Sequence, residues 1–123
     1  MDLGLKDKVA IVGGASKGLG RACAEVLSEE GATVVMCSRT LADLETSAEE
    51  IRKSTGGEIM VYAGDLEKLE VIQDLINQTV NEYGHLDIMV NNSGGPPLAR
   101  SFNATEEQWD IAGQRSLLFF ARM

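Results

Sequence analysis

Residues 9 to 20 read V-A-I-V-G-G-A-S-K-G-L-G. A short β-branched run breaks into glycines and then opens a helical pattern, and few stretches restrict a fold so closely. Val9 to Val12 suits a buried parallel strand. Gly14 lets the chain turn sharply off the strand end. Gly18 leaves backbone open to a ligand, and Gly20 lets the following helix pack close to the sheet. The first turn of that helix offers free N–H groups and a positive dipole end, which suits a pyrophosphate. The spacing is G-x-x-x-G-x-G, with a longer first gap than the common dinucleotide fingerprint.

The rest of the chain repeats the same strand-then-helix alternation. Gly18 to Glu30 reads as a helix with Leu19, Cys23, Val26 and Leu27 on one face, stopped by Gly31. Thr33 to Cys37 is the second expected strand. Thr40 has the character of an N-cap, and Leu41, Leu44, Ala48 and Ile51 mark the apolar face of the next helix, which Gly56-Gly57 ends. Glu58 to Ala63 is the third strand. Leu69, Ile72, Leu75, Ile76 and Val80 define a third helix ending before Gly84, and Leu86 to Val90 is the fourth strand. Asn91 to Ala104, with its glycines and prolines, is a loop. Thr105-Glu106-Glu107-Gln108 has the form of a capping box and opens a last helix, in which Trp109 is expected to pack. Four β-α units in series require parallel strands with right-handed crossovers, in the order 3-2-1-4. The fold class is therefore α/β: a Rossmann-like, doubly wound parallel sheet truncated after its fourth β-α unit. A ligand would lie at the carboxyl ends of the strands, beside the first glycine loop.

Composition narrows the partners. A chain of 123 residues with 44% apolar and 24% charged residues is expected to be one globular domain. Its net charge of −8 would repel a phosphate backbone, which argues against nucleic acid. No run reaches membrane-spanning length, and the first eight residues do not resemble a signal peptide. Two cysteines, Cys23 and Cys37, are too few for a disulfide scaffold and fit reduced thiols in a cytoplasmic protein. The single histidine, His85, cannot build a metal site alone and reads as a loop residue.

With these motifs in place, the chain resembles the N-terminal half of a short-chain dehydrogenase/reductase. Gly14, Gly18 and Gly20 match that family's T-G-x-x-x-G-x-G loop, with Gly13 standing where threonine is usual. Asp65-Leu66, after the third strand, looks like the family's adenine-contacting Asp and its neighbour. Asn91-Asn92-Ser93-Gly94 is similar to the N-N-A-G signature that shapes the nicotinamide site. Each has a plainer alternative: Asp65 as the N-cap of the third helix, Asn91 and Asn92 as turn residues. The resemblance implies that Gly14, Ser16, Lys17, Gly18, Leu19, Gly20, Ser38, Arg39, Asp65, Leu66, Asn91, Asn92, Ser93 and Gly94 contact a nicotinamide cofactor. It covers essentially the whole chain and about half of a usual family member. Gly95-Pro96-Pro97 is also similar to 3-oxoacyl-carrier-protein reductases.

Charge at the second strand's end selects the cofactor. NAD binders place an acid there to hold the ribose hydroxyls. Here Ser38 occupies the position and Arg39 follows, with Lys17 in the glycine loop. An arginine grips a 2′-phosphate that an acid would repel, so NADP is expected. The family's reaction is hydride transfer between that cofactor and a carbonyl or alcohol, with protonation by a tyrosine tuned by a lysine four residues on. This chain has only Tyr62 and Tyr83, followed at that distance by Leu66 and Asp87. No catalytic residue is therefore assigned, and the isolated chain is expected to be silent. A family asparagine in the fourth helix would align with Ser116, a further departure. Leu117-Leu118-Phe119-Phe120 is apolar all round a helix, which implies cover on more than one side and a homo-oligomer formed through that helix. The competing expectation is a non-catalytic nucleotide-binding or interaction module.

Overall fold

The computed structural model describes residues 2–92 and 103–114. Its elements run β1 (Val9–Val12), α1 (Gly18–Glu29), β2 (Thr33–Ser38), α2 (Leu41–Thr55), β3 (Ile59–Ala63), α3 (Leu69–Tyr83), β4 (Ile88–Val90) and α4 (Glu106–Gly113). The four strands form one parallel sheet in the order β3-β2-β1-β4, the doubly wound order expected. Alternate side chains of each strand point to opposite faces. Val12, Val34 and Met36 pack with Ala24, Leu44, Ala48 and Ile51 under α1 and α2. Ile11, Val35 and Cys37 pack with Ile72 and Leu75 under α3. Both faces of β1 and β2 are thus covered, which explains why these strands read as unbroken apolar runs.

Four limits fall one or two residues from those expected, while β1 and the ends of α2 and α3 match. α1 stops at Glu29, β2 continues to Ser38, β3 starts at Ile59 and β4 is confined to Ile88–Val90. Leu86 lies before β4, while the Asp87 carboxylate accepts the Val9 N–H at 2.9 Å and anchors the start of β1. Gly56 and Gly84 close α2 and α3 in the left-handed conformation, as the sequence implies. Thr105 and Gln108 form the reciprocal capping box at α4. Thr40 does stand at the N-cap of α2, but its side chain makes no capping hydrogen bond.

The largest correction concerns α1. The buried residues are Gly20, Ala24 and Ser28, with Leu27 partly buried, whereas Leu19 is 81% exposed and Cys23 and Val26 are exposed. A count of large apolar residues selected the wrong face. Small residues sit at its close contacts: a Cβ on Gly20 would meet the Gly14 carbonyl oxygen, and the Ser28 hydroxyl lies 2.7 Å from the Thr55 hydroxyl of α2. A similar exchange occurs in α3, where Thr79 is buried and Val80 exposed. The Thr79 hydroxyl donates to the Leu75 carbonyl at 2.8 Å, so it enters the core without an unmet hydrogen bond. Leu41 and Leu69, the first residues of α2 and α3, are also exposed. Trp109 does not pack as expected and stays 55% exposed. α4 carries Trp109 and Ile111 two positions apart, so they cannot share one helix face. The segment Leu117 to Phe120 falls outside the described residues.

Candidate functional site

The carboxyl ends of the strands carry three connections, and backbone hydrogen bonds stitch them together. The Gly13 N–H donates to the Val90 carbonyl at 3.1 Å, tying the glycine loop to β4. The Ala15 N–H donates to the Cys37 carbonyl at 3.0 Å, and the Gly64 N–H to the Ser38 carbonyl at 2.8 Å. Ser47 of α2 adds a side-chain tie, its hydroxyl donating to the Ser16 carbonyl at 2.5 Å.

Glycine is required here by contact as well as by conformation. Gly14 has φ +57°, and a Cβ on it would lie 2.8 Å from Asn92 Nδ2. A Cβ on Gly20 would lie 2.2 Å from the Gly14 carbonyl oxygen, so the helix start rests directly on the loop. Gly18, at φ +62°, instead faces open space, the arrangement that lets a ligand reach the backbone. Gly13 replaces the family's usual threonine, and a Cβ there would lie 2.5 Å from the Asn92 carbonyl oxygen. Glycine at this position leaves room for the Asn92 backbone at the end of β4.

These connections enclose a cleft of about 390 Å³ lined by Gly14, Ser16, Lys17, Leu19, Ser38, Arg39, Thr40, Asp43, Gly64, Asp65, Leu66, Glu67 and Asn92. Nine of the expected contact residues therefore converge: Gly14, Ser16, Lys17, Leu19, Ser38, Arg39, Asp65, Leu66 and Asn92. The exposure of Leu19 gains a reason, since it forms a wall of the cleft. Gly18 opens α1 beside the cleft, and Gly20 supports the loop from beneath. Asn92 donates from Nδ2 to the Gly13 carbonyl at 3.2 Å, which fixes the end of β4 against the glycine loop. Asn91 does not line the cleft; its Oδ1 is buried without a hydrogen-bond partner among the described residues. Ser93 and Gly94 lie outside the described residues.

Asp65 is not the N-cap of α3, which is Lys68. Its carboxylate accepts the Glu67 N–H at 3.0 Å and its carbonyl accepts the Lys68 N–H at 3.1 Å, closing a turn on the cleft wall. Sequence reasoning missed Thr40, Asp43, Gly64 and Glu67. Gly64 and Glu67 flank the Asp65-Leu66 pair, and the signal for them was adjacency. Asp43 comes from the first turn of α2 rather than from a strand end, where an acid was sought. The cleft thus holds Lys17 and Arg39 on one side of the charge balance and Asp43, Asp65 and Glu67 on the other.

Neither tyrosine belongs to this site. The Tyr62 hydroxyl donates to Asp74 at 2.7 Å, and its pKa is pushed up to about 12 by burial and then by that carboxylate. Burial also raises the Tyr83 phenol, with Glu58 and Glu82 adding to the effect and Arg52 opposing it. Burial pushes the Cys37 thiol up to about 12, so it is no nucleophile. Among the described residues no cluster of three metal-ligating side chains occurs. No described helix is long and apolar enough to cross a membrane.

A glycine loop between a first parallel strand and its helix, at the carboxyl edge of a doubly wound sheet, defines a dinucleotide-binding α/β fold. The particular family follows from comparison: the short chain dehydrogenase model matches residues 8–117, and the chain belongs to that oxidoreductase family. An uncharacterized oxidoreductase of Mycobacterium tuberculosis is 44% identical over 91 residues, covering 74% of this chain and 34% of the relative. L-Sorbose reductase from Gluconobacter frateurii, solved with NADPH and L-sorbose, superposes with a TM-score of 0.92 at 29% identity, covering 99% of this chain and 46% of that one. An actinorhodin polyketide ketoreductase solved with NADPH superposes with a TM-score of 0.89 at 31% identity, covering 94% and 44%. The chain spans less than half the length of each of these proteins.

Proposed function

We propose that this chain forms the cofactor-binding part of an NADP-dependent short-chain reductase acting on a carbonyl or alcohol substrate. The observation that carries the reading is the convergence of Lys17, Ser38 and Arg39 beside the glycine loop in one cleft. The site fits such a group on its own terms. A Cβ on Gly18 would project into open space next to the helix start, leaving backbone free to meet phosphate oxygens. Bound there, the cofactor supplies a hydride. This chain's residues do the holding: the amides of the α1 first turn for the pyrophosphate, Lys17, Ser38 and Arg39 for the 2′-phosphate, Asp65 and Leu66 for the adenine. Asn92 holds the β4 end in place for the nicotinamide side. NADPH-bound relatives of similar fold support the cofactor assignment.

In these 123 residues no tyrosine stands four residues before a lysine, the family's usual proton-donating pair. Neither Tyr62 nor Tyr83 lines the cleft, and neither has a lysine four residues on. The chain alone is therefore assigned nucleotide binding without turnover, and 3-oxoacyl thioesters are the first substrates to try with any longer form. Fluorescence titration with NADPH and NADH tests the reading. Tighter binding of NADPH supports it, and Arg39→Asp should reverse the order. Equal affinities that Arg39→Asp leaves unchanged would make Arg39 a surface base only.

A further inference from the structure

We propose that Asp43 sets how strongly the site discriminates between phosphorylated and unphosphorylated ribose, and so keeps NADH as an accepted second cofactor. The proposal rests on the nucleotide-site reading above and adds a residue to it. Asp43 sits in the first turn of α2, two residues past its start, and lines the same cleft as Lys17, Ser38 and Arg39. It also lines the adjoining depression formed by Ser16, Lys17, Arg21, Thr46, Ser47 and Glu50. It thus shares two concave surfaces with Lys17.

Charge pairing among the neighbours matters. Arg21 is engaged by Glu50 at 2.5 Å, bridging α1 to α2, and so contributes little free positive charge. Lys17 and Arg39 make no ion pair within 4.0 Å among the described residues, and neither does Asp43. The phosphate end of the cleft therefore presents two open cations and one open carboxylate. A 2′-phosphate brought between Lys17 and Arg39 meets Asp43 as a like charge. A ribose bearing free hydroxyls meets it as a hydrogen-bond acceptor, the role an acid plays at the end of the second strand in NAD binders. One side chain thus weakens the first ligand and strengthens the second.

A purely structural role is the alternative, because an acid in a helix's first turn favours the macrodipole. That role predicts a change in thermal stability and none in ligand choice. The two separate in a calorimetric titration of the 123-residue chain with adenosine 2′,5′-bisphosphate and with AMP, each at low and at high salt. Asp43→Asn should tighten the bisphosphate about 1.5- to fivefold, the range for one exposed charge pair. It should leave AMP unchanged or weaker, and the bisphosphate gain should shrink at high salt. Asp43→Ser, which retains good first-turn chemistry, should give the same shift if the amide variant folds poorly. An unchanged ratio of the two affinities in both variants, with only the melting midpoint moved, would overturn the proposal and leave the nucleotide site intact. Failure of the unaltered chain to bind either ligand would instead overturn the nucleotide-site reading and this proposal with it.

Discussion

Gly20→Ala separates the packing role of the loop glycines from their ligand role. The added Cβ would stand 2.2 Å from the Gly14 carbonyl oxygen, 2.7 Å from its carbon and 2.8 Å from Asn92 Nδ2. Two of those three atoms are backbone, so relief requires moving α1 away from the loop. Overpacking of this kind costs about 1–3 kcal/mol, and backbone contacts put this case at the upper end. Alanine's better helix propensity offsets about 1 kcal/mol. The net expectation is a loss of about 2 kcal/mol, together with weakened nucleotide binding because the loop itself is displaced. Gly18→Ala is the contrast. Its φ of +62° makes alanine strained, at about 1–2 kcal/mol, yet nothing lies within 4 Å of the new methyl. The methyl enters the space left for the ligand. Gly84→Ala controls for strain alone, since Gly84 has φ +83°, similarly open surroundings and no place in the cleft. Urea unfolding and NADPH titration of all three variants should give the largest stability loss for Gly20→Ala, a smaller strain loss for the other two, and intact binding only for Gly84→Ala. A Gly20→Ala protein within about 0.5 kcal/mol of the parent would refute the claim that α1 rests on the loop.

Thiol labelling at pH 8 should modify Cys23 quickly and Cys37 only on unfolding, since Cys23 is exposed and Cys37 buried with its pKa near 12; equal rates would mean the face of β2 under α3 is open. Because the folded state holds the Cys37 proton more tightly than the ordinary 9.0 implies, its contribution is complete below pH 9 and is lost as pH rises towards about 12. Tyr62 acts in the same direction between 10 and about 12, so absorbance titration should show phenol ionisation beginning later than in free tyrosine, and Tyr62→Phe should remove part of that delay. Among the described residues β4 pairs with β1 alone. Its free edge should make the isolated chain associate, and sedimentation velocity at micromolar concentration showing one sharp monomer boundary would contradict this.

Much of the architecture was legible because local and long-range signals agree. Apolar strand runs, glycine stops and the alternation of strand runs with 3.6-period helices led to the β3-β2-β1-β4 order. The failures share a cause. Gly20, Ala24 and Ser28 form the buried face of α1, where close approach to the glycine loop and to α2 favours small residues, which a count of large apolar ones overlooks. Thr79 is buried because a backbone acceptor one turn earlier satisfies it. Asp65 is excluded as the cap of α3 by that helix's start at Leu69, and it lines the cleft instead. Asp43 was invisible because its place on the cleft wall depends on how α2 turns back over the end of β2, a tertiary relation with no mark in the local sequence.

The central claim is that the cleft at the carboxyl edge binds a 2′-phosphorylated dinucleotide. Backbone amide NMR of the labelled chain, titrated with NADPH, tests where and whether this occurs. The account predicts shifts concentrated at Gly14–Leu19, Ser38–Asp43, Gly64–Glu67 and Asn92, with smaller changes and weaker affinity for NADH. Shifts absent at millimolar NADPH, or gathered on α3 and α4 instead, would contradict it.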